Sequence, residues 1–126
     1  MIAASTLSTT LNENVVELKF HRRRPKLNLT PWRRMLCTLD FNLLNSEKGI
    51  NMLHFKSPSS TSVYSPQQKG LIAVWDILVQ DWRMVNTESC HIISTISTNP
   101  PETFWDYFNV SIASMSSAQK AAFISV

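Results

Sequence analysis

The alternation of apolar and polar positions changes period several times along the chain, and each change predicts an element. Val16, Leu18 and Phe20 alternate with Glu17 and Lys19, the period of two expected of a strand with one face inward. The basic stretch at 21–26, interrupted by Pro25, reads as a loop. Thr30 and Pro31 then offer an N-cap and a first-turn proline, and Trp32, Met35, Leu36, Leu39 and Leu43 recur at helical spacing. These features predict a helix over residues 31–45 that exits at Gly49, with a strand over 50–56 after it.

Residues 57–65 are rich in serine and read as a loop. Beyond it Ser65 and Gln68 resemble a capping box with Pro66 at the first helical position. Leu71, Trp75, Leu78, Trp82 and Val85 form one stripe opposite Lys69, Ala73, Asp76, Gln80 and Arg83. That pattern predicts an amphipathic helix running to residue 86. Residues 90–98, rich in Ile, Thr and Ser, read as a strand. Asn99, two prolines and Glu102 then start a helix carrying Phe104, Trp105, Tyr107 and Phe108, and Ser116 with Gln119 opens a short final one. The expected fold is α+β: a mostly helical small single domain with a short two- or three-stranded sheet. Residues 1–13 read as a flexible N-terminal lead, and 14–126 as one globular domain.

Composition supports a folded chain with one core. The sequence has 126 residues, 44% of them hydrophobic and 17% charged, close to the globular average. Its 2 glycines compare with roughly 9 at average usage, which argues against a glycine-lined phosphate cradle. Two cysteines, Cys37 and Cys90, are too few for a disulfide framework, so a reducing compartment, cytoplasmic or nuclear, is expected. No apolar run approaches the roughly 20 residues of a membrane-spanning helix, so integral membrane association is not expected. The N-terminal stretch lacks the cationic start and apolar run of a secretory signal, and Glu13 and Glu17 argue against a transit peptide.

Dividing the net charge of +3 along the chain changes the picture. Lys19, Arg22, Arg23, Arg24, Lys26, Arg33 and Arg34 lie within residues 18–34 with no acid among them, and the chain on either side is net acidic. Seven cations ahead of and within a predicted helix start suggest an anion site, because the first-turn N–H groups and the helix dipole would assist the guanidinium groups. Nucleic-acid phosphates, an acidic protein surface and anionic lipid headgroups all fit, as does a solvated cationic loop. The same run suits recognition by a nuclear import receptor.

Trp75 and Trp82 suit either a core or a partner-docking face, and Trp32 either a core or a base-stacking position. Enzymatic signals are weak. His21, His54 and His91 share no metal-ligand spacing with the cysteines, and Cys90 beside His91 would point away from it on a strand. Asn109-Val110-Ser111 matches a glycosylation acceptor that a reducing compartment leaves idle.

The leading expectation is therefore a non-enzymatic nucleic-acid-binding protein without cofactor or metal. It would favour RNA or single strands and suit a viral capsid-like or accessory protein. The alternative is an interaction adaptor with the basic run as a nuclear address and Trp75 and Trp82 on a docking helix. Expected partners are nucleic acid, an import receptor, and a second copy of the chain.

Overall fold

The computed structural model describes residues 4–21, 32–56 and 71–124. Its elements run α1 (Ala4–Glu13), β1 (Asn14–His21), β2 (Trp32–Thr38), α2 (Phe41–Leu44), α3 (Glu47–Met52), β3 (Leu71–Asp76), β4 (Asp81–Asn86), β5 (His91–Ser97), α4 (Pro101–Tyr107) and α5 (Ser117–Ile124). A π turn, Phe108–Ile112, prolongs α4, and a 3-10 turn, Thr87–Ser89, leads into β5.

The strands form one five-stranded sheet in the order β4-β3-β2-β1-β5, antiparallel throughout. The fold is α+β, but the expected two- or three-stranded sheet in a mostly helical domain is wrong. Two predicted helices are the cause. Residues 32–38 of the predicted 31–45 helix are strand β2, leaving only the single turn α2 as helix in its described part. The predicted helix to residue 86 is, over 71–86, the β3–β4 hairpin.

Both errors have one physical origin, the burial of the central strands β2 and β3 on both faces. Pairing places Val15, Leu36 and Trp75 on one face and Val16, Leu18, Met35, Cys37 and Val74 on the other, since neighbouring residues of a strand point to opposite sides. The first face packs under Leu43, Leu44, Leu53, Phe55, Phe104, Trp105, Phe108 and Ile112. The second packs under Leu7 and Leu11 of α1 and against Ile72, Val85 and Cys90. β1 and β4 meet although two strands separate them in the sheet order, so the sheet curls around this second cluster. Strands covered on both sides lose their alternation and read as continuous apolar runs, as in Met35-Leu36-Cys37.

The β3–β4 turn carries no glycine, proline or asparagine. Asp76 holds it instead, its Oδ1 accepting from the N–H groups of Leu78 and Val79 at 3.0 Å each, while Gln80 takes the left-handed conformation at φ 62°.

Elsewhere the expectations and the structure agree on β1, on β5 and on the two C-terminal helices. Ser116 and Gln119 form a reciprocal capping box, with N–H to side-chain distances of 2.7 and 3.1 Å. The stretch expected as a flexible lead carries α1 over residues 4–13, with Leu7 and Leu11 one turn apart and buried. In place of the strand expected over 50–56 the chain completes α3 at Met52. The capping box at 65–68 and the whole serine-rich stretch at 57–65 lie outside the described residues, as do Arg22, Arg23, Arg24, Lys26, Thr30 and Pro31.

Ser46 caps α3 by accepting from Gly49 N at 3.0 Å, and this draws the first turn of α3 onto the end of α2. A Cβ on Gly49 would fall on the carbonyl oxygens of Leu43 and Leu44, well inside van der Waals contact with backbone. Gly49→Ala should therefore lower the unfolding free energy by roughly 3 kcal/mol in a urea titration, the upper end of overpacking costs.

Candidate nucleic-acid interface

β1 and β2 are direct neighbours in register, with Lys19 opposite Arg34 and His21 opposite Trp32. These four residues share the sheet face that carries Val15 and Leu36 further along. There the helical layer covers the apolar end, and the polar end lies beyond it. β5 brings His91 opposite Lys19 from the other side.

The result is a cluster centred on one indole. The His21 ring meets Trp32 edge-on at 5.5 Å, the His91 ring lies at 6.1 Å, and the Lys19 ammonium sits 5.4 Å from the centre of the Trp32 ring. His21 and His91 are exposed, and Lys19 and Trp32 half-buried. The backbone N–H of His21 donates to Ser89 Oγ at 3.0 Å, tying the end of β1 to the turn before β5.

Arg33 and Arg34 do not converge at a helix start, because β2 is a strand and its successive side chains take opposite faces. The helix-dipole part of the anion-site expectation is thereby overturned. Arg33 turns to the curled face and pairs with Asp76 at 2.5 Å, both groups largely buried. Burial outweighs this pairing and pushes the Asp76 carboxyl above its ordinary value.

Arg34 stays on the face of Trp32 and Lys19, pairs with Glu17 at 2.8 Å, and lies under the ring of Phe123 at 4.0 Å. Tyr107 belongs to the same neighbourhood: burial and the Glu17 carboxylate push its phenol up, while Arg34 pulls it down. Of the seven cations, Lys19 and Arg34 thus share a surface and Arg33 holds the hairpin. Arg22, Arg23, Arg24 and Lys26 lie outside the described residues, in the segment that joins the paired His21 and Trp32.

The tryptophans of the expected docking helix sit on the hairpin. Trp75 is fully buried, and Trp82 packs on it edge-to-face at 5.7 Å while donating its indole N–H to Lys56 O at 3.0 Å. No helix among the described residues presents them to a partner. His21, His91 and Phe123 were missed as site residues. For His21 a signal existed: Glu17, Lys19 and His21 are the polar positions of the β1 alternation, so the strand predicted from Val16, Leu18 and Phe20 already placed them on one face.

At the other end of β1 a cleft of about 870 Å³ is lined by Asn12, Glu13, Asp40, Asn42, Glu47 and Trp105, among others. Glu13, Asp40 and Glu47 outnumber Lys48 there, so its charge disfavours phosphate. Among the described residues no group of three His, Cys, Asp or Glu side chains is arranged to hold a metal ion, and no helix is long and apolar enough to cross a membrane.

Cys37 and Cys90 are free and buried. Burial pushes the Cys90 thiol from 9.0 up to about 11 and raises Cys37 as well. Neither should react with a thiol-specific dye in the native protein at pH 8, and both should react after denaturation. The folded state holds the Cys90 proton more tightly than the unfolded chain. Its contribution to stability is thus full below about pH 9 and is lost as pH rises toward 11.

Comparison with protein-family models, with curated proteins and with solved structures finds no match to this chain.

Proposed function

We propose that this chain is a non-enzymatic protein that binds single-stranded nucleic acid, RNA in the first place, on the sheet face around Trp32. The observation that carries the reading is the Trp32 cluster: a half-buried indole between two exposed histidines, with Lys19 above it. The arginine run begins immediately after His21. A sheet face that offers an aromatic ring to an unpaired base, beside cations for the backbone, is a recurrent solution to single-strand recognition.

The chemistry divides between the two parts. Lys19 and the run Arg22, Arg23, Arg24 and Lys26 supply most of the affinity through phosphate contacts that release counterions. Trp32 supplies preference for unpaired bases, since a base inside a duplex cannot present its face to the ring.

Replacing Trp32 with alanine tests this division. With a labelled single-stranded oligouridylate, Trp32→Ala should weaken binding about tenfold, within the range measured for one base stacked on an aromatic side chain. The salt dependence should stay unchanged, because no cation is removed. Duplex of the same length should compete poorly against the intact protein. Equal affinity of Trp32→Ala and the intact protein for the oligouridylate would remove the sheet face from the reading.

A further inference from the structure

Two residues along β2 from Trp32, and on the same face, the Arg34 guanidinium carries an aromatic ring from the end of the chain. Phe123 of α5 lies 4.0 Å from the Arg34 guanidinium carbon. A guanidinium plane covered by a ring is also the arrangement by which arginine holds an unpaired base. We infer that Phe123 occupies a second base-binding position, and that α5 is a strap which nucleic acid must displace to use Arg34. This rests on the function proposed above and adds both a further subsite and its regulation.

Three observations bear on it. First, α5 is weakly held. It spans 8 residues with none fully buried, and a helix of that length is marginal without packing. Its attachment to the core is through Phe123 and Ile124, both partly buried.

Second, Arg34 retains an unsatisfied donor. Glu17 takes its Nη2, yet its Nε is buried and has no hydrogen-bond partner among the described residues. A phosphate oxygen reaching that edge would satisfy a group that the closed arrangement leaves orphaned.

Third, the strap brings no acid to this face. Lys19 lies directly opposite Arg34, and Lys120 is the one charged residue of α5, so the strap adds no carboxylate that would compete with a phosphate. When α5 leaves, the bound strand gains Arg34 beside Trp32, with roughly 6.6 Å of β2 between the two positions.

Anisotropy titrations of the oligouridylate against the full chain decide the matter. Phe123→Ala should bind about fivefold tighter than the intact protein, because the competitor for Arg34 is gone and one exposed cation–π contact is of that size. Phe123→Tyr, which keeps a ring on Arg34, should show no gain. Adding Arg34→Ala to Phe123→Ala should cancel the gain, which a merely loosened core would not do. A chain ending at Met115 should match Phe123→Ala if circular dichroism shows it folded, and the point variant decides if it does not fold.

The strap is overturned if the intact protein binds and Phe123→Ala binds no tighter, an outcome that leaves the proposed function standing. Absence of salt-sensitive binding by both proteins removes the function and the strap together.

Discussion

Replacing Asp76 with alanine is expected to cost the fold about 3–5 kcal/mol, the range for stripping one partner from a buried ion pair. The carboxylate is 1% exposed and has two tasks. Oδ2 meets Arg33 Nη2 at 2.5 Å, and Oδ1 accepts from Leu78 and Val79 to close a turn that contains no glycine, proline or asparagine. Alanine leaves two backbone donors and a largely buried guanidinium without this oxygen pair. Asp76→Asn keeps an oxygen for the turn but no charge for Arg33, so about half the loss is expected. Urea midpoints of the three proteins measure both effects.

The acid range behaves differently. Because burial raises the Asp76 carboxyl, the folded state holds its proton more tightly than the unfolded chain. Its contribution is therefore full below the ordinary value of 3.8 and declines as pH rises through the raised one, so acid unfolding is not driven by this group.

Trp75→Ala should cost a similar 3–5 kcal/mol, the range for emptying a large aromatic site in a core. Trp75 is fully buried, edge-to-face with Phe55 at 5.1 Å and with Trp82 at 5.7 Å. A tryptophan on a docking face would behave in the opposite way, leaving stability almost unchanged and weakening association. Trp75→Phe should lose only about 1–2 kcal/mol, since the indole Nε1 has no hydrogen-bond partner among the described residues and its removal strands nothing. Thermal or chemical unfolding of the two variants separates core from docking surface.

What the sequence disclosed followed from whether a segment was covered on one side or two. β1 was legible because Glu17, Lys19 and His21 keep the polar alternation at its open end. The α5 cap was legible because Ser116 and Gln119 are a local, self-contained pair. β2 and the β3–β4 hairpin were not, because Met35, Leu36, Cys37, Val74 and Trp75 are buried from both faces and imitate a helical stripe. The turn that separates β3 from β4 gave no warning, its work being done by the Asp76 side chain and by a left-handed Gln80. α1 was masked by its serines and threonines: Thr9 and Thr10 donate back to the carbonyls of Ser5 and Thr6, a habit that composition alone counts against a helix.

The site was half legible. Charge division along the chain singled out Lys19 and Arg34 but set Arg34 in the first turn of a helix where the chain forms β2. It also grouped Arg33 with them, which pairing to Asp76 places on the opposite face. Phe123 could not be foreseen, since its contact with Arg34 joins residues at opposite ends of the chain. Charge thus drew attention to these residues, and strand register shows which of them share a face.

The salt dependence of oligouridylate binding tests the central claim most directly. If Lys19, Arg22, Arg23, Arg24 and Lys26 each neutralise a phosphate, the logarithm of the binding constant should fall with the logarithm of salt concentration at a slope of roughly −3.5. Between 50 and 200 mM salt that is about a hundredfold loss of affinity. Replacing Arg22, Arg23 and Arg24 together by alanine should reduce the steepness by about 2 and weaken binding equally for every base sequence. A slope near zero, or the same slope in the triple variant, would contradict the account.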